Sequence, residues 1–370
     1  MQIILFGPRT LTRLSQQGPS WLAEWHFRKL LSSGYWSLNI LLTWFADKAI
    51  KAFPAPRDKV VYVAGDGSHK NKRGKKSPAV QKTRISDRKA YFFGIKFVVL
   101  CVCWDVYRIP VDFRIVLPKD HPNYKNEGEL FREMLRLFRP PDWASRIIIV
   151  GDAGFSSKDN IKLIKQIDVK DRKRRWGFVF AIARTWNMED GKNLKNLVTH
   201  TPYCYYQRTW IPRLADGCGR KTFWVFAKDT RLTDIGDVTI VMSKKGPNVS
   251  PKKTKLLVTN LLELTTREIL SIYQRRWSIE ILFKELKSGM GLGEHQVTMD
   301  IKRIEKSLGI AIIAYLALIR ARKEDIKPGQ PWSIFQLKNN FTMEVLNYQL
   351  NHTLEKKLYR ERTVQFLKAI

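Results

Sequence analysis

Tyr273, Arg276, Glu280 and Lys287 stand at offsets of 0, 3, 7 and 14 in a helix-like segment. At about 100° per residue they fall within roughly a 60° sector of one helical face. A carboxylate flanked by two cations and a phenol suits a site for metal ions and phosphates. Ile272, Ile279, Phe283 and Leu286 border the stripe on one side, and Leu270, Trp277 and Ile281 on the other. Gln274, Ser278 and Glu285 form a separate polar wedge, better placed to face water. A charged face between two apolar borders predicts a cleft, though mixed charge also suits a solvated amphipathic face.

Two aspartates could complete such a site. Asp66 follows the apolar run Val60–Ala64, and Asp152 follows Ile147–Val150; both have glycines alongside. In open α/β sheets, ligands gather at the carboxyl ends of strands. Two carboxylates on neighbouring strand ends can bind Mg²⁺, which takes oxygen ligands and keeps several waters. A third, from a packed helix, completes a site for two metals about 3.5–4 Å apart, the arrangement that serves phosphodiester chemistry. Glu280 is the candidate third ligand. The plainer alternative is that each Asp is a turn residue or helix N-cap, and Asp66-Gly67 is a favourable turn dipeptide.

The composition points to a polyanionic partner. Sixty-six basic against 34 acidic residues give a formal charge of +32, spread along all 370 residues. That distribution argues for broad contact with nucleic acid rather than a basic tail on a neutral enzyme. With 44% apolar residues the chain is globular. Cys101, Cys103, Cys204 and Cys218 lack zinc-ligand spacing, and Cys101 and Cys103 alternate within an apolar run as core residues do. The amino-terminal residues lack the basic region and apolar length of a signal peptide, and no apolar run reaches membrane-spanning length. A cytoplasmic, nucleoid-associated protein is expected.

The elements that must position these residues follow from periodicity. Residues 1–56 read as a helical region, with helices over Trp21–Leu31 and Leu38–Phe53. Strands are expected at Val60–Ala64, Tyr91–Cys103, Val106–Ile115, Ile147–Val150 and Gly177–Ala183. Helices are expected over Glu127–Phe138 and Ser157–Ile167, and a basic loop over Lys70–Arg88. The class is α/β, a mixed sheet flanked by helices, whose first part spans 57–183 and second part 265–325. Residues 184–264 read as a β-rich insertion, with runs at Tyr203–Trp210, Thr222–Phe226, Val238–Met242 and Lys255–Val258. A single helix is expected over Thr266–Ser288, another over Ile301–Arg322, and a helical region over 326–370.

Tyr-x2-Arg-x3-Glu-x6-Lys, met by Tyr273, Arg276, Glu280 and Lys287 without gaps, resembles the YREK signature of bacterial insertion-sequence transposases. Those enzymes carry a DDE active site on an RNase H-like fold. Asp66-Gly67-Ser68 resembles the context of their first Asp, and Gly151-Asp152-Ala153-Gly154-Phe155 that of their second. The resemblance covers roughly residues 20–325. It implies that Asp66, Asp152 and Glu280 are the catalytic residues and hold Mg²⁺, with Mn²⁺ as a substitute. It implies that Tyr273, Arg276 and Lys287 grip phosphates of double-stranded DNA, with Lys284 near the same stripe. Trp277 could stack on a distorted base, although core packing is the favoured reading for it. Lys70, Lys72, Arg73, Lys75 and Lys76 either track DNA or are simply solvated.

The function so implied is cleavage at an element's terminal inverted repeats and strand transfer into target DNA, by two chains in one synaptic complex. A catalytically silent DNA-binding remnant and an RNase H-like nuclease without strand transfer are the alternatives. Fewer residues precede the first strand than in most members, so a truncated amino-terminal region is expected.

Overall fold

The β-rich segments of the chain, far apart in sequence, assemble into one sheet. The computed structural model describes residues 29–32, 36–72, 74, 76–84, 91–213, 219–294 and 299–369, without the side chains of 84, 349 and 353–369. Most of the expected first helix, together with Arg73, Lys75 and Cys218, lies outside the described residues.

The strands are β1 (Val60–Asn71), β2 (Gln81–Arg84), β3 (Tyr91–Trp104), β4 (Tyr107–Val116), β5 (Arg146–Gly151), β6 (Arg175–Ala181), β7 (Gln207–Pro212), β8 (Arg220–Leu232), β9 (Gly236–Lys244) and β10 (Lys255–Thr259). Their order is β2-β3-β1-β5-β6-β10-β9-β8-β7, with β4 also paired to β3. β3 is antiparallel to both β1 and β4, whereas β1, β5 and β6 run parallel. β10 returns antiparallel beside β6 and links it to the meander β7–β9, so the strands of 207–259 continue the same sheet.

Residues 29–32 are helical, and α1 (Leu38–Ala52) is N-capped by Ser37, whose hydroxyl accepts from the Ile40 amide. α2 (Glu127–Leu137) opens with a capping box in which Asn126 and Glu129 satisfy each other's backbone amides. α3 (Lys158–Lys170) and α4 (Leu194–His200) follow. α5 (Thr266–Gln274) also begins with a capping box, between Thr265 and Glu268. α6 (Trp277–Lys284), α7 (Ile301–Ala321) and α8 (Ile334–Ala369) complete the set.

Strand alternation assigns the two faces of β1. Phe131 of α2 covers the face of Gly65 and Gly67, whereas Phe283 of α6 packs edge-on against Phe97, the cross-strand partner of Ser68. Asp66 therefore lies on the α6 face. Gly65 is required by packing: a Cβ there would sit 2.1 Å from the Phe131 ring, which is wholly buried. Gly65→Ala is expected to cost about 1–3 kcal/mol through overpacking, measured by denaturant unfolding.

Two elements differ from the sequence reading. β1 does not stop before Asp66 but runs on to Asn71 beside β3, so Lys70 is a strand residue, and β2 falls inside the expected basic loop. The expected helix over Thr266–Ser288 is interrupted. Around Arg275 and Arg276 the amides bond three residues back, to Ile272 and Tyr273, and Glu285–Gly289 forms a π turn. Such local over- and underwinding re-aims side chains that an even 3.6-residue period would stack, and π turns concentrate at functional sites.

Candidate active site

The carboxylates of Asp66 and Asp152 meet because of strand register. The parallel β1–β5 pairing ends at Ala64 opposite Val150. Each Asp lies two residues further along its own chain, so both leave the sheet on one side where the strands part. Asp66 accepts the Gly67 amide on Oδ1 at 2.8 Å. Asp152 accepts the Gly154 amide at 2.8 Å, so the turn role considered for it is also real. That bond uses Oδ1 alone.

Glu280 arrives from α6 and is tied to Asp66 by Arg276. The Arg276 guanidinium donates through Nη1 to Asp66 Oδ2 at 3.2 Å and through Nη2 to Glu280 Oε1. One cation thus holds an acid of the sheet and an acid of the helix together. Its Nε is buried without a hydrogen-bond partner. Burial opposes the charge of Arg276, but Tyr273, Glu280 and Asp66 outweigh it and push its pKa up.

Asp66 is the strained member. Burial, then the Asp152 charge, raise its carboxyl from 3.8 to about 7, against the opposing pull of Arg276 and the Gly67 amide; Glu280 adds to the rise. A carboxyl that resists ionisation beside two other acids marks a place short of positive charge. Among the described residues, no three His, Cys, Asp or Glu side chains stand close enough to enclose an ion as they are. The Arg276 guanidinium occupies the approach between Asp66 and Glu280.

The other expected site residues divide into groups. Tyr273, half-buried at the end of α5, lies beneath the Lys255 ammonium, 4.4 Å from its ring centroid. Lys255 was not singled out by the sequence, because nothing local links β10 to α5. Trp277 is 53% exposed, so it does not pack in the core as favoured above. Lys284 is exposed as well, and with Ser288 these residues form the water-facing side of the helix. Glu285, expected on that side, is instead buried: Arg108 Nη2 donates to its Oε1 at 2.9 Å and Tyr315 donates to its Oε2 at 3.2 Å. Lys287, in the π turn, lies near enough to the end of β1 for its charge to act on His69 and for that of Lys70 to act on it, further along the strand than Asp66.

The profile of a family described as "Transposase DDE domain" matches residues 66–316, beginning on the first of these acids and spanning roughly two thirds of the chain. This chain belongs to that family. Membership makes transposition the activity class and DNA the substrate class of this DDE-family protein. The matched segment contains Asp66, Asp152 and Glu280 as well as the strands β7–β10 between the second acid and the third. No curated protein sequence matches the chain. Among solved structures, the NurA nuclease from Sulfolobus solfataricus aligns over 72% of this chain and 98% of its own, at 11% identity and a TM-score of 0.23. So slight a superposition bears no argument. No described helix is long and apolar enough to cross a membrane.

Proposed function

We propose that this DDE-family protein is a metal-dependent insertion-sequence transposase that hydrolyses a phosphodiester at each element end and joins the freed 3′ end to target DNA. The observation that carries the reading is the junction of three acids: Asp66 and Asp152 two residues beyond the last β1–β5 register pair, with Glu280 drawn in by Arg276. The strand order β4-β3-β1-β5-β6, three antiparallel and then two parallel additions, supports an RNase H-like core with β7–β9 inserted before the Glu helix.

The donors fit hard divalent ions. All three are carboxylates, and the resistance of Asp66 to ionisation is what a bound cation would relieve. Asp66, Asp152 and Glu280 would hold Mg²⁺ or Mn²⁺, which when bound supplies an activated oxygen nucleophile and charge neutralisation at the phosphate. The residues of the chain do the rest. Asp66 and Asp152 would present their carboxylates to the cation at the parting of β1 and β5, and the reacting phosphate is gripped by the cationic side chains around them. Arg276 releases part of its hold on the two acids and turns to phosphate oxygens, for which its planar fork is suited. Tyr273 and Lys287 contact the backbone to either side. Trp277 offers an exposed aromatic face on which a base can stack, and Lys284 lies two turns on along the same exposed face. Two chains acting on the terminal inverted repeats would complete the synaptic complex.

Incubation with Mg²⁺, labelled DNA carrying the repeats that flank this gene, and a plasmid target tests the reading. The expected products are nicked ends and joined strands. Nicking without joining would make the protein a nuclease, and binding without either would make it a silent remnant.

A further inference from the structure

Lys70 and Lys72, the first two lysines after Asp66, are partly covered rather than freely solvated. Along β1, His69 and Asn71 are exposed, whereas Asp66, Ser68 and Lys70 alternate with them and are partly covered. Lys70 thus points to the same sheet face as Asp66, the face under α6 and the π turn. After the π turn the chain doubles back, with the Leu292 amide bonded to Leu286 O at 2.9 Å. This places Gly293 against Lys70: a Cβ there would lie 2.6 Å from Lys70 Cγ, and Gly293 has a φ of +75°. Lys72 closes the same corner, its ammonium donating to Gly293 O at 3.0 Å.

Lys287 reaches this corner from the other side. Burial, and then the Lys70 charge, lower its pKa to about 8. Neither Lys70 nor Lys287 forms an ion pair among the described residues, while neighbouring Lys96 is already paired with Glu127. Two partly buried ammoniums set against each other cost stability in the free protein. They gain it when one anion is shared between them.

We propose that Lys70 adds a second cation to the phosphate contact already read for Lys287, and that the two form a notch for a single backbone phosphate of DNA, separate from the three acids. The identity of the polyanion rests on the transposase reading. Four strand residues separate Lys70 from Asp66, about 13 Å at 3.3 Å per residue. At that distance the notch takes a phosphate a few nucleotides from the reacting one. It therefore fixes the register of the strand in the site, with Gly293 leaving room for the Lys70 side chain.

Anisotropy titration of a short labelled duplex in EDTA, across a KCl series, tests this without any cleavage. Lys70→Ala is expected to weaken binding several-fold and to lower the slope of log affinity against log salt by about 1. Lys70→Arg should retain most of the affinity. The Lys70→Ala, Lys287→Ala double variant should lose less than the sum of the single losses, because both serve one phosphate. Circular dichroism of each variant shows whether the fold is kept; Lys70→Ala should melt no lower than wild type once the repulsion is removed. Wild-type affinity and slope in Lys70→Ala, or additive losses, would overturn the notch while leaving the transposase reading intact. A wild-type protein that fails to bind duplex DNA would overturn both.

Discussion

Asp66→Asn is expected to abolish DNA cleavage and, at the same time, to stabilise the metal-free protein at pH values above about 7. Burial and the charge of Asp152 raise the Asp66 carboxyl from 3.8 to about 7. A carboxyl raised in this way contributes its stability below its unfolded value of 3.8 and loses it as the pH rises through about 7. Above that point the ionised group opposes folding by up to ~4 kcal/mol, at about 1.36 kcal/mol per unit. Asn carries no charge and can still accept from the Gly67 amide through its one carbonyl oxygen, while Arg276 gives up Asp66 and keeps Glu280. Melting in EDTA should therefore show the variant several degrees above wild type at pH about 8, with the gap closing toward pH 4. Added Mg²⁺ should narrow the gap by stabilising wild type alone. A variant less stable than wild type at alkaline pH would show that Arg276, not a missing cation, already balances the site.

Glu285→Ala is expected to destabilise the protein by about 3–5 kcal/mol, because it strands the buried Arg108 charge. The side chains of Arg108 and Glu285 are 8% and 5% exposed, and their bond joins β4 to the π turn at 2.9 Å. Tyr315 of α7 and the Ile334 amide of α8 also donate to the Glu285 carboxylate, while Arg108 lies 4.1 Å from the Trp332 ring centroid. Three elements thus converge on one acid of the π turn, placed between Glu280 and Lys287 in the sequence. Replacing both partners, Arg108→Met with Glu285→Leu, should recover most of the loss, since an apolar pair of similar volume leaves no charge unmatched. Denaturant titrations measure this. A single variant within 1 kcal/mol of wild type, or a double variant worse than the single, would contradict the role given to the pair.

These two acids show what was legible in the sequence and what was not. Asp66 and Asp152 could be found because each ends an apolar run whose hydrophobicity marks a buried strand, Val60–Ala64 and Ile147–Val150. The order of acids along the chain then anticipated their partner on a helix. Glu285 was misplaced because the helix was taken at an even period. The tightened turn at Arg275–Arg276 and the π turn shift its direction, and its partner Arg108 lies 177 residues away. Trp277 was read as core for the same reason. The continuation of β1 past Asp66 was hidden because His69, Lys70 and Asn71 carry no apolar signal; β3 alone holds them in the strand. Likewise, the runs between Tyr203 and Val258 were visible as strands, except that Tyr203–Tyr205 forms a 3-10 turn and β7 begins at Gln207, but their joining to β6 through β10 is a long-range pairing with no local mark.

The central claim is that Asp66, Asp152 and Glu280 act together in metal-dependent DNA cleavage. Strand cleavage in Mg²⁺ or Mn²⁺, on DNA carrying the element's ends, tests it most directly when wild type is compared with the triple variant Asp66→Asn, Asp152→Asn, Glu280→Gln. Wild-type protein should nick the ends only when the metal is present, and the folded triple variant should bind the same DNA without nicking it. Cleavage that persists undiminished in the triple variant would contradict the account.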